Sequence, residues 1–358
     1  MTLPRSFELN SRTRIFFCAL VCLVLTLFMF APRLWLMRTY LPGTFQWDRA
    51  HTYLLQCEHP LRRDIEPAML WRVLPPLVCH FGGLRGNQPL VVPFLGVFVL
   101  TSYVAVLLRR RNADARFVFG GTLLVTTTSA VLVPLHWFGM NDAWIWLGLL
   151  AVAFGRAAWA LPIACALCPW IDERFIIGFP LAWCGRCLDR HEPFLDARAG
   201  VALWLLPYAG LRFWLSRNSA GAHVTADFLR SVPGTTLGLA PFVPFGWWMA
   251  LRLGWALVAG AVWLAPAGRR VPIASMLLAT LVVSWLLASD LSRSAAIALP
   301  LVLLGCFVLA QRFPLHFPRA LLLLGLASLL VPAAHVVYTK IDLISPLPLE
   351  IFRLLRWL

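Results

Sequence analysis

Charged side chains are scarce in this chain. They make up 13% of its 358 residues, whereas a soluble protein contains roughly 25%, and hydrophobic residues reach 60%. The charge is also one-sided, with 31 Lys and Arg against 16 Asp and Glu. In so apolar a chain, orientation signals and anionic lipids explain a basic excess more simply than nucleic acid does. The composition argues against a soluble domain and predicts an integral membrane protein in a lipid bilayer.

The sequence patterns of many soluble enzymes are missing as well. There is no P-loop, no dinucleotide-binding glycine fingerprint and no Gly-x-Ser-x-Gly motif, which argues against nucleotide-driven chemistry. No internal repeat, low-complexity tract or soluble domain interrupts the chain. We therefore predict one all-α transmembrane domain over residues 1–358.

Two cysteine pairs, Cys165/Cys168 and Cys184/Cys187, have the spacing of a zinc ribbon. The segment between the pairs is mostly apolar and is predicted to be helical, so it would hold the pairs at opposite membrane faces. We therefore predict no zinc site here.

Long apolar runs predict the membrane spans. A full span needs about 20 residues. The three runs between 143 and 185 are shorter, so we expect them to be tilted, broken or packed inside the bundle. The prediction is about 11 transmembrane or partly spanning helices. The runs lie near 14–31, 89–108, 117–137, 143–156, 157–170, 173–185, 199–215, 241–265, 271–288, 294–311 and 320–338.

Short basic loops predict the orientation. Arg109–Arg111 with Arg116, Arg269-Arg270, and the Arg312/Arg319 pair read as cytoplasmic under the positive-inside rule, as does the N-terminus. This orientation requires that 66–84, rich in Pro and Gly, does not cross the membrane. We therefore expect a multi-pass protein of a bacterial plasma membrane.

Two segments then lie outside. They are a long first loop, 32–88, with interfacial helices, and a tail, 339–358, with an interfacial helix.

This orientation places the acidic candidates on the outer face. They are Asp48, Asp142, Asp172, Glu173 and Asp290. Each also has a structural interpretation. Asp48 starts an interfacial helix. That helix is predicted from the helical spacing of Ala50, Tyr53, Leu54, Cys57 and Leu61. Asp142 caps the next helix, Asp172 and Glu173 form an interfacial turn, and Asp290 pairs with Arg293.

Basic and aromatic candidates accompany the acids. Arg72, Arg174 and Arg293 suit a phosphate, although snorkelling to the interface explains each of them too. Arg252 lies inside an apolar run, where charge is costly and usually faces a cavity or a partner. It is therefore a candidate for substrate binding, and snorkelling is the alternative. His51 lies one turn from Asp48 and would assist it or bind a metal.

The first loop resembles a known superfamily. Trp47-Asp48, Tyr53, and the segment Leu70–Leu77 (LWRVLPPL) are similar to the GT-C membrane glycosyltransferases. The resemblance implies a polyprenyl-phosphate sugar donor, with Asp48 as the catalytic base and Tyr53 near the donor. Arg49 stands where many relatives have Gly, and Trp71 where Tyr is common. The chain has no Asp-x-Asp pair, which leaves the use of a divalent metal open.

The chemistry fits the residues independently. An inverting transfer needs a carboxylate to accept the proton of the acceptor hydroxyl, and cations to stabilise the leaving phosphate. We therefore predict a glycosyltransferase that moves a sugar to a lipid, glycan or protein acceptor of the cell envelope. One alternative is a transporter or lipid flippase, since Arg252 and broken helices suit a carrier. Another is a non-catalytic scaffold, in which the outer acids would not converge.

Overall fold

A computed structural model describes residues 11–34, 45–62, 69–194, 197–218, 238–288 and 290–356. It is mostly helical, as predicted, with one two-stranded antiparallel hairpin. The α-helices are Ser11–Met29, Phe45–Glu58, Leu74–Phe81, Val91–Arg111, Ala115–Thr126, Ser129–His136, Asp142–Phe154, Ala160–Leu167, Arg174–Asp189, Leu206–Asn218, Val243–Leu251, Gly254–Trp263, Ala267–Leu287, Leu291–Ala295, Leu299–Arg312, Phe317–Leu330 and Leu347–Arg356.

Four of these helical segments are long and apolar enough to cross a membrane: Arg12–Met29, Gln88–Arg111, Ala267–Leu287 and Leu291–Arg312. The number rises to six if each of two bent helix pairs is one span. Shorter apolar helices, including Asp142–Phe154 and Phe317–Leu330, account for further predicted runs. The chain therefore has the apolar helices of a membrane protein. The prediction of about 11 helices counted partly spanning helices together with full spans.

Two of the three short runs between 143 and 185 pack inside the bundle. The middle one forms helix Ala160–Leu167, which exposes Ile163 and Leu167. Helix Arg174–Asp189 lies against Asp142–Phe154, and most of its residues are buried. Gly178 permits the close approach, because a Cβ there would lie 2.7 Å from a methyl group of Leu149. These two helices form the centre of the molecule, and both begin at the same end.

The predicted run 117–137 is not one straight helix. It bends by 53° between Thr126 and Ser129. Thr127 and Thr128 each donate a side-chain hydrogen bond to a carbonyl three residues back, at 2.8 and 2.7 Å. Such bonds compete with the helical backbone pattern and favour a break.

The predicted run 241–265 is also broken, with a bend of 90° at Arg252 and Leu253. Arg252 has a φ of 52°, a left-handed conformation that is strained for a residue other than Gly. Its guanidinium donates to the carbonyl of Thr127 at 2.8 Å and to that of Ser328 at 2.6 Å, and also to the carbonyl of Val331. Arg252 therefore satisfies carbonyls at the first break and at the end of helix Phe317–Leu330.

The C-terminal region departs from the prediction. The run 320–338 is helical only to Leu330, and Ala333–Val337 then pairs with Lys340–Ile344 in a hairpin. Residues Ile341–Ile344, expected to be part of the tail helix, therefore form a strand. A helix does follow, at Leu347–Arg356. Pro332 ends the apolar helix, and the β-branched pair Val336-Val337 favours the strand.

The predicted helix of the first loop is present at Phe45–Glu58. We call it the loop helix. Ala50, Tyr53 and Cys57 are buried on one side of it, as their spacing predicts, and Gly139 packs against Ala50 and Tyr53. Leu54 is only half-buried, and the prediction is wrong for Leu61, which lies beyond the end of the helix and is 79% exposed. The following helix, Leu74–Phe81, has only 8 residues and is too short to cross a bilayer. The loop helix therefore lies over the end of the bundle where helix Asp142–Phe154 begins.

Candidate functional site

Six charged side chains converge at the end of the bundle where its two central helices begin. We call them the arginine–acid cluster. They come from the loop segment, from the starts of the two central helices, and from helix Leu291–Ala295 with the residue that caps it. They are Arg72, Asp142, Asp172, Arg174, Asp290 and Arg293. Sequence reasoning had named all six separately, and the structure brings them together.

Asp142 lies at the centre of the cluster. It is the first residue of its helix, and its carboxylate faces inward and is 1% exposed. It accepts hydrogen bonds from Arg174 at 2.8 Å and from Arg293 at 2.7 Å, and a second one from Arg293 Nε. Asp142 therefore bridges two guanidinium groups. Its side chain makes no capping bond, so the capping interpretation is wrong.

Asp172 joins the cluster to the first loop. It accepts from Arg174 at 2.6 and 2.8 Å and forms an ion pair with Arg72 at 2.9 Å. Burial favours the neutral acid, but the charges of Arg174 and Arg72 outweigh it and hold the pKa of Asp172 well below its ordinary value. Asp172 is therefore a permanent anion.

Asp290 joins the cluster to the hairpin. Its carboxylate accepts from the backbone N–H of Arg293 at 3.2 Å, and His335 Nε2 lies 2.7 Å away. The Arg293 guanidinium lies 3.6 Å from Asp290, so the predicted i,i+3 pair is present together with the helix cap. Burial raises the pKa of Asp290, but His335 and Arg293 lower it to about 2.

Arg174 and Arg293 are 5% and 6% exposed. Snorkelling to the interface therefore does not explain either of them, because a snorkelling arginine keeps its guanidinium in water. Arg72 is less enclosed, with a side chain 16% exposed.

A small pocket opens beside the cluster and has room for about one water-sized molecule. The loop helix contributes Tyr53 and Gln56 to its wall, and Met69, Asn141 and Ile171 complete it together with Arg72, Asp142, Asp172 and Arg293. The loop helix is therefore part of the site. Asp48 lies in its first turn, and the side chain of Asp48 is outside the described residues.

Four of the described candidates do not join the cluster. Glu173 lies next to it, 3.8 Å from Arg72 and 3.5 Å from Arg212. His51 is exposed on the loop helix and does not line the pocket. The ring of Tyr53 lines the pocket, but its hydroxyl points to Cys79 Sγ at 3.2 Å and the Pro89 carbonyl at 3.4 Å. Arg252 binds backbone carbonyls at the helix breaks. The expectation of a substrate-binding role for Arg252 is replaced by a structural one.

Several residues at the site were missed by sequence reasoning. Gln56 follows Tyr53 by one helical turn, a spacing that would have placed it on the same face. Arg212 carries a charge within an apolar run, the same signal that singled out Arg252. His335 gave no signal, because its contact with Asp290 depends on a hairpin that was predicted as helix.

The carboxylates of the site are paired with cations. Among the described residues, no group of three or more His, Cys, Asp or Glu side chains is arranged to hold a metal ion. The described cysteines, including Cys165, Cys168, Cys184 and Cys187, are free thiols. Arginine therefore supplies the positive charge around these acids.

Comparisons with known proteins return no relative. No protein-family model, no curated protein and no solved structure matches this chain.

Proposed function

We propose that this protein is a membrane glycosyltransferase of the GT-C type, which transfers a sugar from a polyprenyl-phosphate donor to a lipid, glycan or protein acceptor. One observation carries the proposal. The helix that bears Asp48 forms a wall of the pocket beside which Arg72, Arg174 and Arg293 meet. The helix of a candidate base thus lies beside cations that suit a phosphate, and an inverting transfer requires both a base and such cations.

The orientation of the site supports the proposal. Helix Arg174–Asp189 starts at the cluster and has 16 residues, so its other end lies about 24 Å away. At that end Asp189 pairs with Arg111, and Arg269 donates to the Cys187 carbonyl at 2.9 Å. These arginines belong to the loops that the positive-inside rule assigns to the cytoplasm. The cluster then faces outward, where polyprenyl-phosphate sugars serve as donors without nucleotides.

The transfer proceeds by displacement at the anomeric carbon. The acceptor oxygen forms a bond to that carbon while the bond from the carbon to the phosphate oxygen breaks. Asp48 takes the acceptor's hydroxyl proton, and the phosphate leaves with the bonding electron pair. Positive guanidinium groups near the phosphate stabilise the charge that develops there.

The three arginines have different parts in this proposal. Arg174 and Arg293 are fixed by the Asp142 and Asp172 carboxylates and are almost fully enclosed. Arg72 is the most exposed of the three, and its main ion pair is with Asp172. The pocket has room for only about one water molecule, which is too little for a phosphate. We therefore assign the first contact with the donor phosphate to Arg72, the arginine nearest the surface.

A carrier receives less support from the same observations. Arg252 suggested a transport path, but its guanidinium is committed to backbone carbonyls. The scaffold hypothesis predicts that the outer acids do not converge, whereas Asp142, Asp172 and Asp290 lie in one cluster.

The test is the substitution Asp48→Asn in the full chain in lipid nanodiscs, assayed with radiolabelled polyprenyl-phosphate hexoses. We expect transfer to fall by about 10²- to 10⁴-fold, the contribution of a general base, with an unchanged melting temperature. Glu58→Gln is the matched control, because Glu58 is exposed at the other end of the same helix. Full activity of the Asp48 variant would refute the role of Asp48, and a wild-type protein inactive with every donor would refute the proposed function.

A further inference from the structure

An aromatic patch continues the cluster toward the surface. Trp71 and Tyr208 flank the guanidinium of Arg212, whose carbon lies 5.5 and 5.9 Å from the two ring centres. Trp170 packs edge-on against Tyr208 at 4.8 Å. Glu173 lies 3.5 Å from Arg212. We call these five residues the aromatic rim.

Sequence neighbours tie the rim to the cluster. Trp71 precedes Arg72, and Glu173 lies between Asp172 and Arg174. Trp71, Trp170, Glu173 and Arg212 are partly exposed. The rim therefore lies beside Arg72, since Glu173 is 3.8 Å from Arg72 and 3.5 Å from Arg212.

Two facing polar atoms in this region lack hydrogen-bond partners among the described residues. They are Arg72 Nε, a donor, and Glu173 Oε2, an acceptor, and both are buried. They lie 3.8 Å apart, which is too long for a hydrogen bond between them. A hydroxyl group both donates and accepts, so one hydroxyl placed beside the two atoms would satisfy them together. Tyr208 accepts from Arg212 at 2.7 Å and keeps its own proton to donate.

We propose that the aromatic rim is a sugar-binding subsite, which holds a hexopyranose ring with its C–H face on Trp71 and one hydroxyl between Arg72 and Glu173. The subsite rests on the proposed function and extends it, because it places the transferred sugar next to the arginine assigned to the phosphate. The ring is the part of the substrate that the rim recognises.

The chemistry of the rim favours a sugar over the other parts of the substrate. Arg212 is compensated by Glu173, so the rim carries no surplus positive charge for a second phosphate. A hydrocarbon chain would leave the unpartnered Arg72 and Glu173 atoms unsatisfied, which is costly where they are buried. A sugar presents both an apolar face and hydroxyl groups, and thus matches the indole ring and the polar pair.

The experiment measures binding of octyl glucoside, octyl galactoside and octyl mannoside to the full chain in nanodiscs, by saturation-transfer NMR. We expect at least one hexoside to bind the wild-type protein. Trp71→Ala should weaken that binding by about tenfold or more, the usual effect of truncating a Trp anchor, while Trp71→Phe retains most of it. Glu173→Gln, which keeps an acceptor oxygen, should weaken it less than Glu173→Ala.

Trp263→Ala is the matched control. Arg270 packs over Trp263 at 5.8 Å, so this is the same kind of Arg–Trp pair, and Trp263 is exposed without a cluster nearby. The proposal is overturned if no hexoside binds the wild-type protein, or if Trp71→Ala and Trp263→Ala behave alike. Asp48→Asn should still bind the hexoside. A wild-type protein that binds the hexoside but transfers no sugar would refute the proposed function and leave the subsite standing.

Discussion

At the scale of single residues, Asp142 has the largest structural role in the cluster. Two guanidinium groups depend on its carboxylate, and they are shielded from water. We expect Asp142→Asn to lower the free energy of unfolding by about 3 kcal/mol, because removing one partner leaves buried charges without compensation. Thermal or denaturant unfolding of the purified protein in detergent measures this change.

The control for Asp142 is Asp342→Asn. Asp342 pairs with Arg33 at 2.5 Å, but its side chain is 40% exposed. An exposed ion pair contributes about 1 kcal/mol or less, so this variant should be nearly as stable as the wild type. Equal losses in the free energy of unfolding for the two variants would show that burial does not determine how much the ion pairs of the cluster contribute to stability.

Asp290 makes the stability depend on pH in the acid range. Its pKa is lowered from 3.8 to about 2 in the folded chain. A lowered pKa means that the folded state favours the carboxylate, so this contribution is complete above pH 4 and is lost as the pH falls through 2.

We expect Asp290→Asn to be less stable than the wild type at pH 6, and the difference to shrink between pH 4 and pH 2. Melting temperatures of both proteins across that range measure it. A difference that is independent of pH would contradict the assigned ionisation of Asp290.

Residue chemistry identified the charged residues of the cluster, but it did not predict the role of each one. The cost of charge in an apolar chain singled out Asp142, Asp172, Arg174 and Arg293. Their partners could not be predicted, because Asp142 and Arg293 are 151 positions apart and meet only through the fold. The pairing also reassigns Asp142 from a free acid to a counter-ion.

At the scale of elements, Arg252 holds two irregular segments in place. We expect Arg252→Met to lower the melting temperature clearly, because it leaves the buried Thr127 and Ser328 carbonyls without this donor. Transfer per folded molecule should stay close to that of the wild type, since Arg252 lies outside the cluster. Arg270→Met is the control, because Arg270 donates to the Ala265 carbonyl at 2.8 Å and lies outside the cluster. A fully stable Arg252 variant that has lost transfer would restore the substrate role.

Helices were easier to predict from sequence than the hairpin. The loop helix followed from the spacing of its apolar residues, and the positions of the central helices from short apolar runs. An apolar run such as 320–338 has no periodicity that separates a buried strand from a helix, so Ala333–Val337 was predicted as helix. Because that segment was predicted as helix, the contact between His335 and Asp290 was not predicted either.

At the scale of the whole molecule, the two ends of the bundle differ in charge and in role. The hairpin belongs to the cluster end, because His335 contacts Asp290 and Arg33 pairs with Asp342. Arg111 and Asp189 mark the other end. The proposed orientation therefore places the C-terminus outside and the turn at Asn112 inside.

Reporter fusions in a bacterial plasma membrane test this orientation. We expect alkaline phosphatase, which folds only outside, to be active when fused after residue 358, and green fluorescent protein to be dark there. Green fluorescent protein inserted at Asn112, in the turn after helix Val91–Arg111, should be fluorescent. The reverse pattern would place the cluster in the cytoplasm, where the donor and the role of Asp48 proposed above would no longer apply. Because the hairpin is fixed to Asp290, the C-terminal fusion reports on the cluster itself.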